Sequence, residues 1–224
     1  NILQTTCRLL AEKNIIGWFQ GGSEFGPRSL GHRSILSDTR FAEMKDRLNA
    51  KVKHREGFRP FAPSILQECC SDYFDLDCPS PYMLLIADVK NPDAIPASTH
   101  VDQTARVQTV NQEDNGIFYD LIQEYHRLTG VPVVLNTSFN VAGEPIVETP
   151  EDAIRCFLCT NIDYLVLEDT LLRKHPVRCS LLKVWPQDLK RVVRRKLSQL
   201  VSSVPILSRL KRAFESSGNV KIPG

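Results

Sequence analysis

The sequence predicts an α/β, or mixed layered, domain, and three observations carry that expectation. Apolar runs of strand length alternate with amphipathic helical patterns through most of the chain. With 224 residues, 42% hydrophobic and 24% charged, the chain can bury one sizeable core and is too short for more than two ordinary domains. No internal repeat or low-complexity segment interrupts the alternation.

Taken in order, an amphipathic pattern over 2–13 predicts a helix, and the apolar run IIGWFQ (15–20) a strand. A glycine-rich loop fills 21–40, a helical pattern covers 40–52, and FAPSIL (61–66) reads as a strand. MLLIADV (83–89) and ARVQTV (105–110) are two more strand candidates, followed by a helix over 115–129 and the strand VPVVLN (131–136). The helix expected over 150–160 has favourable start chemistry: Thr149 as N-cap, Pro150 at the first helical position, and Glu151 and Asp152 in the first turn. YLVLED (164–169) closes the body as a strand.

Charge separates a body, residues 1–172, from a tail, residues 173–224. The body holds 15 Lys/Arg against 24 Asp/Glu, and the tail 13 against 2, so the overall +2 conceals an acidic domain and a basic appendage. Within the tail, 187–204 reads as a basic amphipathic helix, with Leu189, Val193, Leu197 and Leu200 on one side and a cluster of Lys and Arg largely on the other. Docking on a neighbouring domain is the favoured use of that stripe; an anionic lipid or nucleic-acid surface is the alternative.

No stretch reaches the length of a membrane span, and the start lacks the layout of a secretory signal, so a soluble cytoplasmic protein is expected. Seven cysteines without regular spacing argue against a disulfide framework, and the pair Cys156 and Cys159 reads as structural thiols on a helix. A chain that begins at Asn1 with an immediate helical pattern is expected to be a piece of a longer protein.

Three segments could carry chemistry. GGSEFGPRSLGHRSILSDTR (21–40) combines four glycines with Arg28, Arg33 and Arg40. Glycines let backbone N–H groups approach an anion, and guanidinium forks bind its oxygens in pairs. The segment fits neither the Walker nor the dinucleotide pattern, and a surface turn whose arginines pair with nearby acids is the alternative. In 44–64, Lys45, Arg47, Lys51, Lys53, Arg55 and Arg59 fall within fifteen positions, and Gly57 and Pro60 break any helical period. A ligand with several phosphates, or RNA, would neutralise that density; a solvated basic face is the alternative. The strand ending in Asn136, Thr137, Ser138 and Asn140 places short polar side chains where ligands of open sheets collect, although the same residues also make ordinary turns. In THVDQTARVQTV (99–110), Thr104 and Arg106 stand at a strand start, where Arg106 could neutralise a further anion; His100 reads as a structural histidine.

Read in order, FGPRSLGHRSIL, MKDRLNAKVKHREGFRPFAPSIL, SPYMLLIADV, HVDQTARVQTV and TGVPVVLNTSFNVAGEPIVETPEDA resemble the carboxyl-terminal domain of the nodulation and antibiotic O-carbamoyltransferases. The resemblance implies a YrdC-like fold, a twisted open mixed sheet flanked by helices. It also implies the K-x-R and S-x-N tetrad of that fold, matched here by Lys53, Arg55, Ser138 and Asn140 as catalytic residues. Arg28, Arg33, Arg106, Asn136, Thr137 and Thr104 would then bind substrate. The implied reaction makes carbamoyl adenylate from carbamoyl phosphate and ATP with Mg2+, for delivery to a sugar or antibiotic hydroxyl by an amino-terminal, histidine-bearing transferase domain outside this chain. The two reactants bring about six negative charges that cations must offset before they can meet. The alternatives are an RNA-binding module without catalysis and a threonylcarbamoyl-adenylate synthase-like activity.

Overall fold

A computed structural model describes residues 1–53 and 61–174, within a compact unit spanning Asn1–His175. Arg55 and Arg59, the tail helix expected over 187–204, and the tail beyond residue 174 lie outside the described residues.

The elements follow as α1 (Ile2–Ala11), β1 (Ile16–Phe19), β2 (Arg33–Asp38), α2 (Glu43–Leu48) running into a π-helical turn (Asn49–Lys53), and β3 (Ala62–Leu66). After a short 3-10 turn come α3 (Cys70–Tyr73), β4 (Ile86–Asp88), β5 (Thr104–Arg106), β6 (Gln108–Val110) and α4 (Gly116–Thr129). The chain continues through β7 (Val133–Ser138), α5 (Pro150–Cys159), β8 (Tyr164–Leu167) and β9 (Thr170–Arg173). Seven strands form one mixed sheet in the order β6-β3-β7-β2-β1-β8-β9, and β4 pairs with β5 in a small separate ribbon. The β3–β6 and β1–β8 pairs are parallel, and the other pairs of the main sheet are antiparallel.

Both faces of this sheet are covered, which is why its central strands read as unbroken apolar runs. Alternate residues part company: Ile35, Leu135 and Leu165 enter a core with Met44, Leu48, Val52, Phe139 and Phe157, under α2 and α5. Their neighbours Leu36, Val134 and Val166 join Leu10, Trp18, Phe118 and Tyr125, under α1 and α4. The α5 start forms the full capping box expected from its sequence, with Thr149 accepting from the Asp152 N–H and Asp152 accepting from Thr149. Among the described residues, no helix is long and apolar enough to cross a membrane.

Three expectations change. β2 lies inside the stretch read as a glycine-rich loop, yet it is fully buried at the sheet centre. Its serines and Asp38 disguised the strand; Ser34 and Asp38 are accommodated by local partners, Ser34 Oγ accepting from the Gly31 N–H and Asp38 gripping Arg40. The run 105–110 divides at Val107 into β5, which pairs with β4, and β6, which pairs with β3. Of the run 83–89 only Ile86–Asp88 is strand, because Met83 takes a left-handed backbone (φ 55°). In addition, β9 (Thr170–Arg173) is a strand that the sequence pattern did not announce.

Gly31 shows how closely the loop before β2 is packed. Its φ is +112°, and a Cβ there would lie 2.3 Å from the Phe118 ring. Gly31→Ala should therefore destabilise the fold by about 2–4 kcal/mol, since backbone strain and overpacking act together; urea denaturation of the two proteins measures it.

Candidate functional site

The carboxyl end of β7 carries Ser138 and, beyond it, Asn140, while Phe139 between them turns into the core. That alternation puts Ser138 and Asn140 on the same side. The backbone clamps the segment, with Phe139 N–H donating to the Arg33 carbonyl and Val147 N–H to the Phe139 carbonyl, both at 2.9 Å. Lys53, the last residue of the π-helical turn, reaches this segment although it is only 5% exposed. Its ammonium donates to Asn140 Oδ1 (2.7 Å) and Ser138 Oγ (3.1 Å), and to the carbonyls of Ser138 (2.6 Å) and Asn140 (3.1 Å). Ser138 Oγ donates in turn to Asn140 Oδ1 at 2.7 Å. Three ammonium hydrogens thus serve four oxygens, all from one three-residue stretch. Lys53, Ser138 and Asn140, about 85 positions apart, meet as the sequence led us to expect.

Beside this cluster lies a small polar cleft of about 90 Å3, partly open to solvent, lined by Arg28, Arg106, Asn136, Thr137 and Ser138 over Phe61 and Met83. Arg28 comes from the glycine-rich loop, Arg106 from the end of β5, and the others from β7. Neither arginine forms an ion pair with a described residue. Burial and then the charge of Arg28 lower the Arg106 pKa. The cleft therefore holds two cations that disfavour one another until an anion enters.

Behind the cleft, Asn136 is 1% exposed and donates through Nδ2 to the Ser29 carbonyl (3.2 Å), Ser64 Oγ (3.1 Å) and Gln108 Oε1 (3.0 Å). Gln108 Nε2 donates to the Leu30 carbonyl at 2.9 Å, so the network ties β3, β6 and β7 to the loop that bears Arg28. Ser64 and Gln108 escaped the sequence reading. The available signal was a polar residue inside each of the apolar runs FAPSIL and ARVQTV.

Two expected substrate-binding residues stand elsewhere. Arg33 is buried at the base of the loop, stacked 3.5 Å over the Phe19 ring, with its guanidinium donating to the carbonyls of Gln20, Gly21 and His32. Burial lowers its pKa, against the pull of Glu24, Glu148 and Glu168. Thr104 donates to Asp102 Oδ1 (2.8 Å) and contacts His100 Nδ1 (3.2 Å) in the turn before β5. His100, its pKa lowered by burial, belongs to this turn. Cys156 is buried beneath α5, and burial pushes its thiol pKa up to about 11, as befits a structural thiol. Among the described residues no three His, Cys, Asp or Glu side chains gather as a metal site.

One residue that the sequence reading passed over organises the loop. Glu24 Oε1 accepts from the backbone N–H groups of Leu30 (2.6 Å), His32 (2.8 Å) and Arg33 (3.1 Å). A single carboxylate oxygen thereby folds the arginine-bearing stretch back on itself.

The sequence matches the family profile described as Carbamoyltransferase C-terminus over residues 7–174. The chain belongs to this carbamoyltransferase family. Among its relatives, the nodulation protein NolO of Bradyrhizobium diazoefficiens is 47% identical over 181 residues, covering 79% of this chain and 33% of that protein. The nodulation protein NolNO of Sinorhizobium fredii is 48% identical over 170 residues, 74% of this chain and 25% of that protein. An uncharacterized protein of Synechocystis is 50% identical over 188 residues, 74% of this chain and 31% of the relative. This family member therefore spans a third or less of the length of these relatives. Its fold is similar to part of full-length HypF, solved in a phosphate- and nucleotide-bound form, with a TM-score of 0.51 and 20% identity over 70% of this chain and 19% of HypF.

Removing the Glu24 carboxylate should expose its role. Glu24→Ala should lower stability by about 1–3 kcal/mol, because three N–H groups lose one acceptor. Glu24→Gln, whose amide oxygen can still accept, should retain most of it in the same denaturant titration.

Proposed function

We propose that this domain activates a carbamoyl group by forming carbamoyl adenylate from carbamoyl phosphate and ATP. Its fold is read as the YrdC-like sheet of that reaction and its place as the cytoplasm. The observation that carries the proposal is that Arg28 and Arg106, neither ion-paired with a described residue, line one cleft with Ser138, which is itself held in the Lys53–Ser138–Asn140 cluster.

The chemistry asks mainly for charge compensation and alignment. Carbamoyl phosphate loses phosphate to water, leaving carbamate, and a carbamate oxygen displaces pyrophosphate from the α-phosphorus of ATP. Arg28 and Arg106 would hold anionic oxygens of the reactants, removing the repulsion that keeps them apart. Lys53, oriented by Ser138 and Asn140, would stabilise charge developing at phosphorus, with Arg55 as the expected second cation of the tetrad. Thr137 and Ser138 at the strand end would orient the phosphoryl or carbamoyl group. No side-chain nucleophile is needed, because positioning and a preorganised field supply the acceleration. Mg2+ is expected to accompany the ATP phosphates; the described residues supply no ligand cluster for it, and no step here depends on one.

Arg33 and Thr104, expected to touch substrate, act in this reading through the loop and turn they stabilise. The adenylate would pass to a separate transfer domain, which delivers the carbamoyl group to a sugar or antibiotic hydroxyl.

Lys53→Ala should reduce carbamoyl-phosphate-dependent ATP–pyrophosphate exchange by about 100-fold, the order of loss for one preorganised electrostatic donor. Circular dichroism would verify that the variant folds. Undiminished exchange in a folded variant would remove Lys53 from the reaction.

A further inference from the structure

The cleft contains two buried polar atoms of opposite kind that the protein leaves without a partner. One is the acceptor Asn136 Oδ1 and the other the donor Arg106 Nε. Both residues line the same cleft. Such atoms are seldom left unpaired, because a buried polar group without a hydrogen bond is costly, and two on one cleft are a feature that needs a physical cause.

The neighbouring bonds determine what Asn136 can offer. Three acceptors, the Ser29 carbonyl, Ser64 Oγ and Gln108 Oε1, surround Nδ2. An amide turned the other way would set its oxygen against the Ser29 carbonyl and the Gln108 side-chain oxygen, so the network holds Nδ2 inward and leaves Oδ1 as the unused end. Asn136 also has no freedom to turn away, being 1% exposed in the centre of the sheet. Arg106 is constrained differently: burial and the charge of Arg28 both act against it, so its N–H groups favour an oxygen-bearing ligand.

An acceptor in need of a donor hydrogen, beside a donor in need of an acceptor atom, is complementary to an amide, which presents both on one small group. We propose that Asn136 Oδ1 and Arg106 Nε read the carbamoyl NH2 and an oxygen of the same donor molecule, and that Asn136 is thereby the residue selecting a carbamoyl phosphate over an acyl phosphate. This rests on the activating role proposed above. It adds a basis for specificity: acetyl phosphate has nearly the same shape and charge but presents a methyl group where Asn136 requires a hydrogen-bond donor. A site built to hydrogen-bond one group discriminates against its apolar isostere, because the isostere leaves the buried partner unsatisfied.

Calorimetric titration of the 224-residue chain in the cold, with carbamoyl phosphate, acetyl phosphate and inorganic phosphate in turn, tests the assignment without requiring turnover. Carbamoyl phosphate should bind at least about tenfold more tightly than acetyl phosphate, the discrimination expected when one buried acceptor is left unpaired. In Asn136→Ala that ratio should fall to within about threefold while phosphate binding persists; Asn136→Ser provides the same reading if the alanine variant melts. Equal binding of carbamoyl and acetyl phosphate by the wild type would overturn the amide assignment and leave the anion site standing. A preference that survives in a folded variant would overturn the role of Asn136. Failure of all three ligands to bind would overturn the anion site itself, and the amide assignment with it.

Discussion

The candidate site depends on a buried ammonium. A cation withdrawn from water is tolerated only where oxygen atoms replace its hydration, and Lys53 finds all four of its described oxygen partners on Ser138 and Asn140. Because two of those oxygens are backbone carbonyls, the ammonium fixes the path of the chain as well as two side chains. The π-helical turn that ends in Lys53 and the carboxyl end of β7 are thereby held together. Phe139 secures the same stretch from beneath, so polar and apolar anchors act on consecutive residues.

The second constraint is the loop between β1 and β2. Glu24 gathers three backbone N–H groups on one oxygen, and Arg33 reaches back to three carbonyls while resting on Phe19. Antiparallel pairing of Ser34 with Ser138 then sets the end of this loop beside the end of β7. An otherwise glycine-rich segment thus presents Arg28 at the cleft with Arg106, and no carboxylate among the described residues pairs with either. The protein holds its loop with the arginine deeper in the fold and leaves the outer one for the cleft.

Two buried polar atoms without a partner among the described residues stand together at the cleft. Asn136 Oδ1 and Arg106 Nε lack partners, and the Arg106 charge is disfavoured by Arg28, all at one cleft. Other buried polar atoms, Ser37 Oγ in β2 among them, also lack a partner among the described residues, but those of Asn136 and Arg106 face a cleft that a ligand can enter. An unused acceptor and an unused donor beside two guanidinium groups make this cleft a surface preorganised for a charged ligand.

The sequence by itself determined the class of fold, the capped start of α5 and the helices α1 and α4. These features are encoded locally, in periodicity, capping residues and short spacings, and local patterns survive whatever the rest of the chain does. Tertiary structure decided the rest. β2 was hidden because Ser34, Ser37 and Asp38 break the apolar pattern, and their burial follows from the strands that flank them and the helices that cover both faces of the sheet. Two arginines five residues apart in one loop received different tasks, Arg33 in the fold and Arg28 at the cleft. Which of them is buried depends on Phe19, the carbonyls at the loop base and the turn made by Glu24. The unpaired state of Asn136 Oδ1 is likewise a property of the register that sets Ser64 against Gln108 and Ala62 against Asn136. No one strand encodes that register, because it is fixed by side chains meeting across the sheet.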